Sequence, residues 1–337
     1  MPYKKILVVA LDNLGDAVMA SSVFAPLRRC HPGLVLGFWI KEYAADLFRG
    51  AGPDLVHAVD PFWDASPGRP KGRPAEFFRT LSEIRAERYD AAVLLNTEWR
   101  RSLSCYWAGI PVRIGYRRRK SRLFLTDGFS PSTVRQHFMD DHRFLAEKVS
   151  AQSIEPREAV PQLHLTTEQR AEAQSWLKAQ GWANDSFAAI HPFSGDRRKC
   201  WPVENWVRLA EIFAANHPEL KILFLSGQNE AGALGVALEK LRPEAIRVLS
   251  GAPLGLVKGI LEQARLFAGG DSGPAHMAAA LGTPVLSLFG DDRAYRCAPR
   301  GRAEVHVISR TPLVDLQVAE VSLELEKMVK TAATARR

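Results

Sequence analysis

Three short polar segments interrupt an otherwise apolar pattern, and each follows a run of residues typical of a buried strand. They are Asp12-Asn13-Leu14-Gly15-Asp16, the loop within 191–202, and the segment 271–276. Ligands of parallel α/β sheets bind at the carboxyl ends of the strands. The segments supply carboxylates, hydroxyls, cations and a histidine, which can accept a proton, bind sugar hydroxyls or neutralise a phosphate.

The stretch 266–290 predicts strand, glycine loop, helix, turn and strand in that order. Gly269 and Gly270 break the first apolar run, since glycine tolerates backbone angles that other residues avoid. Asp271 or Ser272 can then cap a helix with Pro274 in its first turn.

Free backbone N–H groups and the helix dipole both favour an anion at such a helix start. The polar residues there are Asp271, Ser272 and His276. We therefore expect a pocket for a nucleotide diphosphate. A capped helix with a buried histidine is the alternative.

The second segment places cations on a loop beside a strand end. Ser194, Arg197, Arg198 and Lys199 precede Trp201-Pro202, which begins the next helix. Such cations suit a diphosphate, although an exposed charged loop has the same pattern. A weaker pattern of strand, glycine and polar residues ends at Glu230. This carboxylate could bind a ribose hydroxyl, or it could be an acidic residue that the helix dipole stabilises at the start of a helix.

The first segment turns sharply at Gly15 and presents Asp16 at the start of a helix. The alternative is that Asp16 is only an N-cap, worth about 1 kcal/mol. The segment lacks GxGxxG, which disfavours a dinucleotide fingerprint.

The elements that position these segments alternate between strands and helices. A first strand is expected at 6–10, a helix over 42–50 and a connector over 151–166, after which the alternation restarts. This pattern predicts two doubly wound α/β domains with parallel sheets, 1–165 and 166–337, and a ligand site in the cleft between them. The last helix, expected over 313–331, belongs to the second domain, and packing back on the first is left open.

Composition indicates an ordinary globular protein. Its 337 residues are 46% hydrophobic and 24% charged, and its four cysteines form no CxxC pair. This disfavours a zinc site or disulfide framework and suits a reducing cytoplasm. Neither a signal peptide nor a membrane span is expected. The motifs GxxxxGK[ST], GxSxG and HExxH are absent, which disfavours P-loop ATPases, α/β-hydrolases and zinc proteases.

The net charge of +8 is concentrated in the first half of the chain, densely so at Arg117, Arg118, Arg119, Lys120 and Arg122. Basic surface can serve a phosphorylated substrate, an anionic membrane or nucleic acid, and a solvated loop is the alternative.

Three motifs together resemble glycosyltransferase family 9, the ADP-heptose:lipopolysaccharide heptosyltransferases. They are ILVVALDNLGDAVMASSVFAPLRRCHP, IHPFSGDRRKCWPVENWVRLA and GGDSGPAHMAAALGTPVLSLFG. The resemblance implies the GT-B architecture, in which two Rossmann-like domains face each other across a cleft, with the acceptor on the first and the donor on the second. It implies inverting, metal-independent transfer, and the sequence indeed lacks the Asp-x-Asp of metal-dependent enzymes.

The resemblance also implies roles for particular residues. Asp16 corresponds to the catalytic aspartate, and the donor-binding residues that it implies are Ser194, Lys199, Asp271, Ser272, Gly273 and His276. The local residue patterns add Glu230 to the expected donor site, and they make Asn13, Arg117, Arg118 and Arg119 the expected acceptor-binding residues. No metal or cofactor is expected. The implied partners are a nucleotide sugar and a phosphorylated glycolipid at the cytoplasmic face of the inner membrane, touched peripherally, and no nucleic acid.

Two departures from the family pattern bear on specificity. Asp12-Asn13 replaces the serines or threonines of many members, and Cys200 stands where arginine or histidine is common. A same-fold enzyme that uses another nucleotide sugar for a different glycan or a secondary metabolite therefore stays open. So does a non-catalytic nucleotide-binding protein, although the presence of Asp16 and Lys199 disfavours it.

Overall fold

Two compact units make up the chain, Met1–His164 and Leu165–Arg337. The structure is a computed structural model that describes residues 3–50, 52–65, 70–196, 199–238 and 246–334. In its described part, each unit has one six-stranded sheet in which every recorded strand pairing is parallel.

The sheet of the first unit has the order β3-β2-β1-β4-β5-β6. Its central strands are apolar and buried because helices cover both faces of a parallel sheet. The strands are β1 Lys5–Ala10, β2 Val35–Ile40, β3 Leu55–Ala58, β4 Ala91–Leu94, β5 Val112–Tyr116 and β6 Asp127–Phe129. The helices are α1 Leu14–Ala20, α2 Phe24–Cys30, α3 Pro74–Glu87, α4 Trp99–Trp107 and α5 Phe138–Ser150.

The second unit repeats this plan with the order β12-β11-β10-β7-β8-β9. The strands are β7 Ser186–His191, β8 Leu220–Ser226, β9 Ile246–Ser250, β10 Leu266–Gly270, β11 Val285–Phe289 and β12 Val305–Ser309. The helices are α6 Thr167–Ala179, α7 Val203–Asn216, α8 Ala231–Leu238, α9 Leu254–Gln263, α10 Gly273–Leu281, α11 Ala294–Cys297 and α12 Val318–Thr334.

The last helix packs into the core of its own unit. Val321, Leu325 and Met328 are at most 2% exposed and join the cluster that contains Trp201 and Trp206. The Trp201 indole Nε1 also donates a hydrogen bond of 3.0 Å to the carbonyl of Leu316, just before α12. The segment that leads into α12 is therefore fixed to the start of α7.

Local structure differs from the sequence expectations at a few places. The helix expected over 42–50 is the 3-10 helix Glu42–Leu47. The helix expected to start at Asp16 begins at Leu14 and is divided into α1, the 3-10 turn Ser21–Val23 and α2. The strand β6 was not anticipated because its three residues, Asp-Gly-Phe, carry no alternating or apolar pattern. No helix in the described ranges is long and apolar enough to cross a membrane.

Candidate functional site

The strand order of the first unit reverses between β1 and β4, and polar side chains follow both strands. Asp12 comes after β1, and its carboxylate binds the Arg101 guanidinium through two hydrogen bonds, of 2.7 Å and 2.9 Å. Arg101 also donates to the carbonyl of Leu11, and the Asn96 amide after β4 donates to Asp12. Only 3% of the Arg101 side chain is exposed, so this ion pair fixes the chain directly before Asp16.

Asp16 is the third residue of α1, not its cap. The N-cap position belongs to Asn13, which is exposed and whose side chain makes no capping hydrogen bond. The interpretation of Asp16 as an N-cap is therefore wrong. Its half-buried side chain lies in the first helical turn at the carboxyl edge of the sheet, near the positive end of the helix dipole.

The basic loop of the first unit lines a surface pocket of about 580 Å³ formed by Arg117, Arg118, Lys120, Arg122 and Leu123. The side chain of Arg119 is not among those the structure describes.

A neighbouring pocket of about 410 Å³ shares Arg118 and includes Trp99 and Arg100. The Arg100 guanidinium carbon lies 5.0 Å and the Lys120 ammonium 5.2 Å from the centre of the Trp99 ring, within cation–π range. The loop therefore joins cations to an aromatic surface.

In the second unit the strand order reverses between β7 and β10, so the loops after these strands meet. Gly269 of β10 pairs with His191 of β7. A Cβ built on Gly270 would lie 4.0 Å from Ser194 Cβ, which puts the Ser194 loop beside the 271–273 turn. The structure thus brings together the second and third polar segments of the sequence.

A sulfur atom orders the loop that follows β7. The Ser194 N–H donates to Cys200 Sγ at 3.2 Å, and the Lys199 N–H donates to the carbonyl of Asp196 at 3.0 Å. The predicted cations Arg197 and Arg198 lie outside the described residues. Of the three cations predicted in this loop, Lys199 is therefore the one that the structure describes.

Lys199 lies between two carboxylates. Its Nζ is 3.2 Å from Asp291 Oδ2 and 3.7 Å from Asp271 Oδ2. Arg293 reaches the same two groups, with Nε 2.9 Å from Asp291 and Nη2 3.7 Å from Asp271. We call Lys199, Asp271, Asp291 and Arg293 the charge cluster.

Asp271 has an unusual proton affinity within this cluster. Burial and the neighbouring Asp291 carboxylate raise the pKa of Asp271 to about 6. The two cations, each at 3.7 Å, are too distant to donate good hydrogen bonds and do not reverse this shift. Asp271 therefore titrates close to neutrality.

The turn after β10 begins α10 as the sequence predicts, with Ser272 at the N-cap and Pro274 in the first turn. The Ser272 side chain makes no capping bond, and its buried Oγ has no hydrogen-bond partner among the described residues. His276 is buried in the first turn and a half of α10. The turn thus holds a buried hydroxyl next to the backbone N–H groups of the helix start.

Glu230 lies at the end of the loop between β8 and α8, and its carboxylate contacts groups of that loop and of β7. Its carboxylate accepts the Gly227 N–H at 2.7 Å and lies 3.7 Å from His191 Nε2. Burial opposes ionisation of Glu230, but His191 and the Gly227 N–H outweigh it and lower its pKa. The buried Nδ1 of His191 has no hydrogen-bond partner in the described part of the chain.

Four residues of these sites were missed from the sequence: Arg101, His191, Asp291 and Arg293. Asp291 and Arg293 follow strand β11 and Gly290, which is the same strand, glycine and polar pattern that marked the other loops. In the described ranges, no group of three or more histidine, cysteine or acidic side chains is placed to hold a metal ion.

Two successive Rossmann-like units, each with polar side chains where its strand order reverses, define a protein of the GT-B class. The profile of glycosyltransferase family 9 (heptosyltransferase) matches residues 77–323. The chain therefore belongs to glycosyltransferase family 9 and is a glycosyltransferase.

Individual proteins agree with this assignment. The chain is 25% identical to lipopolysaccharide heptosyltransferase 1 of Pseudomonas aeruginosa over 91% of this chain and 84% of that protein. The crystal structure of a family 9 glycosyltransferase from Veillonella parvula superposes with a TM-score of 0.82 at 20% identity, covering 98% of each chain. The Escherichia coli ADP-heptose LPS heptosyltransferase II gives 0.79 at 20% identity, covering 97% of this chain and 99% of that one. The predicted fold class is confirmed.

Proposed function

We propose that this protein is an inverting, metal-independent glycosyltransferase that moves a heptose from ADP-heptose to an inner-core lipopolysaccharide acceptor. The observation that carries the proposal is Lys199 in its charge cluster, beside the glycine turn that begins α10. A cation and free N–H groups at a strand-order reversal suit a nucleotide diphosphate. The names of the similar enzymes from P. aeruginosa and E. coli favour an ADP-heptose donor and a lipopolysaccharide acceptor.

The proposed reaction is a single displacement at the anomeric carbon of the donor. Asp16 accepts the proton of an acceptor hydroxyl while that oxygen forms a bond to the anomeric carbon. The bond between this carbon and the diphosphate oxygen breaks, and ADP leaves with the electron pair. A positioned general base of this kind contributes about 10²- to 10⁴-fold in rate.

The second unit stabilises the leaving group in this proposal. Negative charge grows on the diphosphate as the bond breaks. Lys199, Ser194 and the N–H groups of Ser272 and Gly273 neutralise it, because fixed donors stabilise developing charge without reorganising. Glu230 is ionised at neutral pH because its pKa is lowered, and Asp271 is ionised above its pKa of about 6, so both carboxylates suit donor hydroxyls. His276 supports the turn or contacts phosphate.

The acceptor is assigned to the first unit. Asn13 flanks the proposed base, and Arg117 and Arg118 with Arg119 form the basic loop that binds a phosphorylated glycolipid. The same loop brings the enzyme peripherally to the cytoplasmic face of the inner membrane. Such contact is electrostatic and weakens with salt.

A donor panel tests the substrate. Purified full-length protein is incubated with ADP-heptose, UDP-glucose, GDP-mannose or a deoxysugar nucleotide and a truncated inner-core acceptor, and the product is analysed by mass spectrometry and NMR. We expect transfer from ADP-heptose with inverted anomeric configuration. Transfer from a different sugar alone would identify the same-fold alternative, and retained configuration would refute the mechanism.

The Asp16→Asn variant tests the base, with Asp185→Asn as a matched control on an exposed carboxylate of the second unit. We expect Asp16→Asn to lower kcat at least 100-fold while ADP binding stays near wild type. Near-wild-type turnover would remove Asp16 from the mechanism. Activity should survive EDTA, and strong loss on chelation would contradict metal-independent transfer.

A further inference from the structure

The turn 290–293 after β11 lies against Lys199, although another strand separates β11 from β7 in the sheet. Gly290 makes this approach possible: a Cβ built there would be 3.0 Å from Lys199 Cα and 3.4 Å from Leu313. Real Cβ atoms rarely come so close to backbone, so a side chain at 290 would require the neighbouring chain to shift by a few tenths of an ångström. The glycine therefore seats this turn on the residue assigned to phosphate binding.

Asp291 organises the turn and holds Arg293 in place. Its Oδ1 accepts the Arg293 backbone N–H at 3.0 Å, and its Oδ2 accepts Arg293 Nε at 2.9 Å. These two bonds fix both ends of the arginine relative to the carboxylate. The outer guanidinium nitrogen Nη2 extends to 3.7 Å from Asp271, on the side where the turn before α10 begins.

The positive and negative side chains of the charge cluster balance each other when no nucleotide-sugar donor is bound. Two cations, Lys199 and Arg293, face two carboxylates, Asp271 and Asp291. Both cations lie at the same distance from Asp271, so the two flank one spot beside the 271–273 turn. A diphosphate has two anionic groups and is bound best by more than one cation.

We infer that Arg293 is a second diphosphate-binding residue. Asp291 is the counterion that holds Lys199 and Arg293 in position until a nucleoside diphosphate binds and replaces it as the anionic partner of the two cations. The inference rests on the proposed function, because it assigns the diphosphate to this edge of the second unit. It adds two residues that the family motifs do not contain. Lys199 and Arg293 share the diphosphate, and Asp291 keeps Arg293 aligned through the backbone bond.

The test compares the affinity of full-length variants for ADP and for adenosine, measured by isothermal titration calorimetry. Arg293→Gln removes the second cation, and Arg293→Lys keeps its charge. Arg302→Gln is the matched control, since Arg302 is exposed and precedes β12 at the opposite, amino-terminal edge of the sheet. Lys199→Gln reports separately on the proposed donor site.

We expect Arg293→Gln to weaken ADP binding roughly 10-fold, the low end for a charge-assisted hydrogen bond because the side chain is half exposed. Adenosine binding should not change, and Arg293→Lys should recover part of the loss. Asp291→Asn should tighten ADP binding roughly 3-fold, because the competing negative charge is lost while an oxygen remains to accept the backbone N–H.

Equal ADP affinity in Arg293→Gln and Arg302→Gln, with loss in Lys199→Gln, would overturn the inference and leave the proposed function standing. Equal weakening for ADP and adenosine would also overturn it, since Arg293 would then only support the fold. A wild-type protein that binds none of ADP, UDP or GDP would overturn both.

Discussion

Replacement of Arg101 by methionine should destabilise the first unit through one identifiable group of contacts. The substitution keeps a long side chain but removes a guanidinium that is 3% exposed. Asp12 then loses two hydrogen bonds, of 2.7 Å and 2.9 Å, and the carbonyl of Leu11 loses its donor. The carboxylate is left without its positive partner.

The expected cost follows from the burial of the pair. Removing one member of a fully buried ion pair costs about 3–5 kcal/mol. The Asp12 side chain is 31% exposed, so water can solvate part of the abandoned charge. We therefore expect a loss of about 2–3 kcal/mol in the free energy of unfolding, or about 4–12 °C in Tm for a unit of this size.

Circular dichroism during urea and thermal unfolding measures this loss, and a double-mutant cycle with Asp12→Asn isolates the pair. Asp12→Asn in the Arg101→Met background should cost at least about 1 kcal/mol less than in wild type, because the pair is already broken there and the substitution removes the stranded carboxylate charge. Strict additivity would refute the reasoning. Arg101→Met alone should also lower kcat, because the pair of Arg101 and Asp12 fixes the chain directly before Asp16. Its ADP affinity should stay unchanged. The control Arg100→Met removes the adjacent arginine, which is more exposed.

Three further predictions concern the second unit and the basic loop. The pKa of Asp271 rises from the usual 3.8 to about 6 in the folded protein. Between pH 3.8 and 6 the folded state therefore binds a proton that the unfolded state has lost, and the free energy of unfolding falls as the pH rises through about 6. Asp271→Asn should therefore raise the free energy of unfolding at pH 8 by up to about 3 kcal/mol and have little effect near pH 4, as urea titrations at both values would show; equal effects would contradict the shift. Gly290→Ala should displace the backbone at Lys199, costing about 1–3 kcal/mol in the free energy of unfolding and weakening ADP binding several-fold. An unchanged ADP affinity in isothermal titration calorimetry would show that the loop accommodates the added methyl group without moving Lys199. Neutralising Arg117, Arg118 and Arg119 together should reduce sedimentation with anionic vesicles at low salt. Replacing Arg79 and Arg85 of α3 and Arg88 at its C-terminal cap by glutamine is the control and should not reduce it, and equal binding by both triple variants would remove the membrane role.

The sequence predicted the architecture because burial on both faces leaves apolar runs that are visible without any partner. The strands β7, β10 and β11 are such runs, and each ends at a glycine or polar loop. The three-residue strand β6 was missed because it joins the sheet edge through backbone pairing with β5, which leaves no side-chain signature.

Tertiary partners explain the omissions at the sites. Arg100 and Arg101 are neighbours of identical type, and nothing local indicates that Arg101 is the buried one. Its partner Asp12 lies 89 positions away in the sequence. Arg293 is different, because the strand, glycine and acid pattern at 288–291 repeats the signal of the other loops and could have identified it.

The hydrogen bond from Trp201 to Leu316 has a consequence for synthesis on the ribosome. The loop after β7 ends at Trp201, but the carbonyl group that accepts the hydrogen bond of its indole is made 115 residues later. Leu313, which packs against Gly290 beside Lys199, belongs to the same late segment. A nascent chain therefore contains the strands of both sheets before this anchor emerges. The loop 192–201 therefore reaches its final packing only after the strands of both units have been synthesised.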